Sequence, residues 1–386
     1  MDNQRTRILL VEDDLDDVWI LRSLLADRWD GGFELLHCDR LAAGIERCAE
    51  GNVDAVLLDL SLPDGLGLET FQAMYDRNEH VPIIVLTGLD DREAAVKAVQ
   101  AGAQDYLVKG QVSDELLVRS LRYGIERMRR HVAEETLRAA QEEFRIARQI
   151  QQRLFPDAPP RCPGFEMYGK AVPAAETAGD YFDYIPLPGG RLGVVVGDVS
   201  SHGMGPALVM AETRACLRTL AQVLDDPSEI LTRANRVLLR DSEILHFVTL
   251  AFARIDPADL SMVYAGAGQQ SYLIDPSGLV EVLESTSIPL GIDQAVVVPA
   301  KQPIRLLPGQ ILALFTDGVA ETESREKRRF GDARAIDCIR AHAELPAREI
   351  VETLFDETTQ FRGGLPQEDD VTIVIVKVLR SDARTS

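Results

Sequence analysis

The sequence predicts a multidomain chain with three parts: an α/β doubly wound domain, a long helical linker, and an α+β domain of antiparallel strands and separate helices. Three observations carry this. The chain has 386 residues, beyond the size at which one hydrophobic core keeps growing. Short apolar runs alternate with amphipathic stretches up to about residue 124, and hairpin-like strands with legible turns fill the part beyond about residue 165. Between them lies a segment nearly free of Gly and Pro.

In the first part, Ile8 to Val11, Ala55 to Leu58, Ile83 to Leu86 and Tyr106 to Val108 are strand-like. Helical stretches between strands imply βαβ units and a parallel sheet covered on both faces. A ligand site is then expected at the strands' C-terminal ends.

From about 113 to 155 the only Gly or Pro is Gly124, and apolar residues recur at 121, 125, 128, 132, then 137, 140, 144, 147, 150 and 154. This spacing predicts one long helix with a phase break near Ala133 to Thr136, ended by Pro156 and the Pro159-Pro160 pair. It reads either as a coiled coil or as a helix lying on its own domain.

Beyond 165, turns are legible at Leu187-Pro188-Gly189-Gly190, Asp256-Pro257-Ala258-Asp259 and Asp275-Pro276-Ser277-Gly278. Helical stretches are expected at about 205 to 222, 227 to 240 and 332 to 360. The predicted boundaries are 1–124, 125–155 and 156–380.

Composition limits the function classes. Hydrophobic residues make up 46% and charged residues 27%, ordinary soluble usage that permits a packed core in each domain. The net charge of −21 disfavours nucleic-acid binding. Cys38, Cys48, Cys162, Cys216 and Cys338 show no metal spacing and read as reduced thiols in packing roles. The polar N-terminus and the lack of a long apolar stretch predict a cytoplasmic protein that does not enter a membrane.

Two constellations carry chemistry. Glu12 and Asp13, Asp59, Thr87 and Lys109 each follow a predicted strand and so converge on one rim. Carboxylates gathered there repel unless a cation compensates, and an oxygen-ligated Mg²⁺ suits them. Asp59 can then attack a phosphoryl group, with Thr87 and Lys109 holding its oxygens.

In the C-terminal part, a two-residue Gly189-Gly190 loop would make residues summing to 379 face each other, placing Asp180 opposite Val199 and beside Asp198. Asp317 follows the apolar run Ile311 to Phe315 and Asp369 precedes Val371 to Val376. If those strands are antiparallel neighbours, their aspartates share one end. Four carboxylates without His or Cys suit two Mg²⁺ or Mn²⁺ ions, which can ionise a water and neutralise a phosphoryl group.

Residues 7 to about 124 resemble the receiver domain of response regulators. The resemblance implies a flavodoxin-like fold, Asp59 as phosphoacceptor, Mg²⁺ on Glu12, Asp13, Asp59 and the Ser61 carbonyl, and Tyr106 as switch aromatic. Receivers usually carry proline after the lysine; this chain has Gly110.

The phrases Ala178-Gly-Asp-Tyr-Phe-Asp183, Gly197-Asp-Val-Ser-Ser-His-Gly-Met-Gly205, Thr316-Asp-Gly318 and Glu368-Asp-Asp-Val-Thr372 resemble the metal-dependent PPM (type 2C) protein phosphatases. The likeness is to the SpoIIE-type branch, over about 145 to 379, with Ala147 to Pro156 similar to its regulatory switch helix. It implies two antiparallel sheets flanked by helices. It also implies Asp180, Asp198, Asp317, Asp369 and the Val199 carbonyl as ligands of two Mn²⁺ or Mg²⁺, with Asp370 and Asp183 in supporting roles. Ser201 stands where glycine is usual and Gln269 where histidine is common. His202 is read as packing its loop in preference to acting as a general acid.

Together these readings predict a two-component response regulator with a serine/threonine phosphatase output controlled by phosphorylation at Asp59. The resemblance implies a sensor histidine kinase, a phosphorylated STAS-type anti-sigma-factor antagonist and a homodimer through the linker helix as partners. The alternative is a receiver-controlled adaptor that sequesters a partner without catalysis.

Overall fold

The computed structural model describes residues 5–29, 32–88, 92–175, 177–201, 203–239 and 246–380. The chain divides into two compact units, Met1–Gln141 and Glu142–Ser386.

The first unit runs β1 (Thr6–Val11), α1 (Leu15–Arg28), β2 (Phe33–Cys38), α2 (Leu41–Ala49), β3 (Ala55–Asp59), a small hairpin of β4 (Ser61–Leu62) and β5 (Gly65–Leu66), α3 (Leu68–Tyr75), β6 (Ile83–Thr87), α4 (Arg92–Gln100), β7 (Asp105–Val108) and α5 (Asp114–Gln152). Its five-stranded sheet is parallel in the order β2-β1-β3-β6-β7. Strand alternation splits the core into two layers. Leu9, Val11, Val56 and Leu58 pack with Phe71, Met74 and Ala98 on one face, while Ile8, Leu10, Leu57 and Leu86 pack with Leu25, Leu117 and Leu121 on the other. The edge strand β2 was not among the sequence-predicted strands. It is only half-buried throughout, so it lacks a continuous apolar run.

α5 is one 39-residue helix ending at Gln152, so Leu154 lies beyond it. Leu117, Val118, Leu121, Ile125 and Met128 are buried against the first unit, which is the helix-on-its-own-domain reading for the opening turns. Past the expected phase break the apolar stripe is exposed at Leu137, Phe144 and Ile150, and Ile146 beside it is exposed as well.

The second unit continues β8 (Phe165–Val172), β9 (Tyr181–Pro186), β10 (Leu192–Val199), α6 (Met204–Leu220), α7 (Pro227–Leu238), β11 (Val248–Asp256), β12 (Ser261–Ala267), β13 (Ser271–Ile274), β14 (Val280–Leu283), β15 (Ile304–Arg305), β16 (Ile311–Phe315), α8 (Asp317–Glu321), α9 (Asp332–Ala341), α10 (Ala347–Arg362) and β17 (Val371–Val378). Two antiparallel sheets, β15-β12-β11-β10-β9 and β14-β13-β16-β17-β8, face each other. Val194, Val196, Ala251 and Tyr264 of one interleave with Leu273, Leu312, Leu314 and Val374 of the other. α6 and α7 cover the outer face of the first sheet, α9 and α10 that of the second.

Two expectations need correction. The stretch 332 to 360 is two helices, because Pro346 caps α10 after a break at the end of α9. The β9–β10 register sums to 378, with Gly197 opposite Tyr181 and Gly193 opposite Ile185. The loop holds three residues, Pro188-Gly189-Gly190, closed by the Leu187 N–H on the Arg191 carbonyl, with Gly189 at φ 75° and Gly190 at φ 77°. The Val199 N–H therefore meets the Gly179 carbonyl at 3.3 Å, and Asp198 lines up with Asp180 instead of standing one residue beside it.

Candidate functional site

In the first unit, parallel strands deliver Glu12, Asp13, Asp59, Thr87 and Lys109 to the sheet's C-terminal rim. Ligand oxygens of Glu12, Asp13 and Asp59 all lie within 4.8 Å of one another. Lys109 Nζ reaches Glu12 Oε2 at 2.6 Å, Asp59 Oδ2 at 2.8 Å and Asp17 Oδ2 at 3.0 Å. Burial and then the Asp59 charge push Glu12 up to about 7, against the lowering pull of its Lys109 hydrogen bond. Burial pulls the Lys109 ammonium down, but hydrogen bonds to Asp59 and Glu12 outweigh it and hold it above the ordinary range.

The Ser61 N–H donates to Asp59 Oδ1 at 3.2 Å, which places the Ser61 peptide against that carboxylate. Thr87 is buried, its hydroxyl on the Gly88 carbonyl, and Tyr106 is half-buried on the edge strand β7. Gly110 takes φ 77°, a conformation closed to proline, so this loop is built differently from one that carries proline there. Asp17 was missed: an acid in a helix's first turn reads as a dipole complement in sequence.

In the second unit, Asp180 directly precedes β9 and faces Asp198 of β10 in the continued register, while Asp317 opens α8 just after β16 and Asp369 stands two residues before the neighbouring β17. Their carboxylates act on one another. Burial, then Asp317, Asp369 and Asp370, push Asp198 up to about 8. Asp180, fully buried, is raised by burial and then by Asp198 and Asp370, and Asp317 and Asp369 are raised chiefly by burial. The basin is looser than the first site: among the described residues, only Glu12, Asp13 and Asp59 and a separate Cys338, His342 and Glu357 group bring three ligand atoms within 4.8 Å.

Both donor sets fit divalent cations. Each sets buried carboxylates, Glu12 and Asp59 in the first and Asp180 in the second, beside more exposed ones, with a mutual repulsion that has no full internal compensation, and all donors are hard oxygens. The Val199 carbonyl sits at the same basin, 2.9 Å from where a Cβ on Gly179 would lie, so residue 179 must lack a side chain.

Supporting contacts fix this basin. Thr316 Oγ1 donates to Asp180 Oδ2 at 2.8 Å and accepts the Thr372 N–H at 3.0 Å. Asp370 accepts the Ala174 N–H at 2.8 Å and the Gly179 N–H at 2.7 Å. Asp183 is locked by two hydrogen bonds of 2.6 Å from Arg218 and one of 2.7 Å from Tyr181. Gln269 bridges the Phe315 carbonyl at 2.8 Å and Thr249 at 3.3 Å. Ser201 takes φ 76°, the left-handed conformation that favours glycine. His202 lies outside the described residues.

Sequence reasoning missed Thr316 and Gln151 as individual contributors. Gln151, in the last turn of α5, is buried and pairs with both polar atoms of the Ala178 backbone: Nε2 to the carbonyl at 2.6 Å, the N–H to Oε1 at 2.9 Å. It thus grips the loop leading to Asp180. The signal was the resemblance of its segment to a switch helix; no spacing rule pairs residues 151 and 178.

Residues 8–121 match the response regulator receiver domain family, and residues 188–379 match the family described as stage II sporulation protein E (SpoIIE). The chain is 24% identical over 330 residues to Protein IcfG of Synechocystis sp., covering 77% of this chain and 51% of that protein. It is 26% identical over 251 residues to the phosphoserine phosphatase RsbU of Bacillus subtilis, covering 63% of this chain and 73% of that one. The chain thus spans about half the length of the first of these relatives. In fold it is similar to the SiaA-PP2C domain of Pseudomonas aeruginosa, with TM-score 0.56 and 21% identity, over 63% of this chain and 98% of that domain. Among the described residues no helix is long and apolar enough to cross a membrane.

Proposed function

We propose that this chain, in which a response-regulator receiver domain is joined to a PPM phosphatase domain of the SpoIIE type, hydrolyses phosphoserine or phosphothreonine on a partner protein under control of phosphorylation at Asp59. The observation that carries the reading is the meeting of Asp180, Asp198, Asp317 and Asp369 in one basin from two facing sheets. The name of RsbU as a phosphoserine phosphatase supports it. We read residues 1–124 as receiver, 125–155 as linker and switch helix, and 156–380 as phosphatase.

In the phosphatase domain, Asp180, Asp198, Asp317, Asp369 and the Val199 carbonyl hold two Mn²⁺ or Mg²⁺ ions. Bound there, such ions supply an ionised water and neutralise charge on the phosphoryl group. The chain's own residues shape the basin: Thr316 fixes the Asp180 carboxylate, Asp370 tethers the 174–180 loop, and Gly318 lets Asp317 and Asp369 approach.

In the receiver, Glu12, Asp13, Asp59 and the Ser61 carbonyl hold Mg²⁺, Asp59 accepts the phosphoryl group, and Thr87 and Lys109 take its oxygens, with Tyr106 as the switch aromatic. The donor is a sensor histidine kinase. The substrate is a phosphorylated STAS-type antagonist, and the exposed apolar stripe of α5 supports a homodimer through the linker. The Gln151 grip on Ala178 supports α5 as the route of control.

The test is Mn²⁺-dependent turnover of p-nitrophenyl phosphate and of a phosphoserine protein by the full chain. Asp198→Ala should abolish both while circular dichroism stays unchanged. A wild-type chain that binds Mn²⁺ yet turns over neither substrate would leave only an adaptor.

A further inference from the structure

The second unit carries a second donor cluster, far from aspartate chemistry in its ligand types. Cys338 lies on α9 and His342 just past its end, four residues apart and so on one helical face. Glu357 comes from the middle of α10. Cys338 is buried, the other two are half-buried, and one ligand atom from each lies within 4.8 Å of the others. Cys338 Sγ stands 3.9 Å from His342 Nδ1, which also meets the Cys338 carbonyl at 2.9 Å.

We propose that Cys338, His342 and Glu357 form a Zn²⁺ site that staples α9 to α10. A sulfur, an imidazole nitrogen and a carboxylate oxygen together select a borderline ion of the zinc class over Mg²⁺. Tetrahedral bonds of about 2.0 to 2.3 Å set ligand atoms roughly 3.5 Å apart; Cys338 Sγ and His342 Nδ1 at 3.9 Å are already close to that, and Glu357, within 4.8 Å of both, has to approach by no more than about an ångström. The half-buried setting leaves the fourth position to water. Binding ionises the Cys338 thiol, whose proton goes to solvent; the Nδ1 contact with the Cys338 carbonyl is exchanged for a bond to the ion, and the ring proton moves from Nδ1 to Nε2.

The role is structural. α9 and α10 form the outer layer on the sheet that carries Asp317 and Asp369, through Ala335, Ile339, Ile350 and Leu354. A pair of donors four residues apart on one helix and a third from the next helix escapes any search for paired cysteines. The proposal does not depend on the phosphatase reading.

The test titrates the metal-free full chain with Co²⁺, a spectroscopic substitute for Zn²⁺. One equivalent should give a near-ultraviolet thiolate-to-cobalt band, which one equivalent of Zn²⁺ displaces. Carboxylate oxygens cannot produce this band, so it should persist in Asp198→Ala. Cys338→Ser should remove it, and His342→Ala or Glu357→Gln, should the serine variant fold poorly, should weaken Co²⁺ binding at least tenfold. No thiolate band at saturating Co²⁺, a band that survives Cys338→Ser, or one lost in a well-folded Asp198→Ala would overturn the proposal.

Discussion

Gly318 stands where a methyl group cannot go, since a Cβ there would lie 1.8 Å from the Asp370 carbonyl oxygen. Two backbones meet at that point, so no rotamer change relieves the clash. Overpacking of this kind costs about 1 to 3 kcal/mol even where neighbours can move. Gly318→Ala should therefore lower the denaturation midpoint and cut turnover at least tenfold with every carboxylate still present. Wild-type activity in that variant would show that the Asp317–Asp369 approach does not matter. Asp198 makes a second prediction at this scale. With its carboxyl pushed up to about 8 by burial and by Asp317, Asp369 and Asp370, the metal-free folded chain holds a proton that the unfolded chain releases near pH 4. Stability then falls as pH rises from about 4 to 8, because the folded state binds more protons across that window. Thermal denaturation without metal should show this decline, Asp198→Asn should flatten it, and Mn²⁺ should stabilise more at pH 8 than at pH 5. A flat metal-free profile would count against the clustering of these carboxylates.

Elements explain both what the sequence disclosed and what it hid. Strands β1, β3 and β6 were legible because their cores are buried on both faces and read as unbroken apolar runs. The β2 edge strand, half-buried, gave no such run. Turn residues marked the place of the β9–β10 hairpin but not its length, and one extra loop residue moved Asp198 into line with Asp180. The four aspartates still lie beside strand ends, where the sequence puts them whatever the register. Gln151 was hidden for a different reason: its partner is a backbone amide 27 residues away, which leaves no trace in a pattern. Two hydrogen bonds of this kind contribute about 1 to 3 kcal/mol in all, enough to shift an equilibrium by roughly fivefold to a hundredfold. Gln151→Ala should accordingly raise the Mn²⁺ concentration for half-maximal turnover by about tenfold, with most activity regained at saturating Mn²⁺. An unchanged Mn²⁺ dependence would remove the end of α5 from control of the Asp180 loop.

At the scale of the whole molecule, α5 starts packed on the receiver sheet through Leu117 and Leu121 and ends with Gln151 on the backbone before Asp180. A change at the Asp59 rim that alters how the first turns pack can reach the aspartate basin only if it biases an element with two arrangements. A tenfold change in turnover requires about 1.4 kcal/mol of such bias, which the Gln151 pair can carry alone. Beryllofluoride with Mg²⁺, a phosphoryl mimic at Asp59, should therefore change the turnover of p-nitrophenyl phosphate by the full chain. Glu135→Pro supplies the control: residue 135 is exposed and helical, proline there costs the helix about 3 kcal/mol, and both carboxylate sites stay intact. The variant should keep turnover at saturating Mn²⁺ and lose the response to beryllofluoride. Equal wild-type rates with and without the mimic would end the case for coupling, and a response that survives the proline would send the signal by a route other than α5.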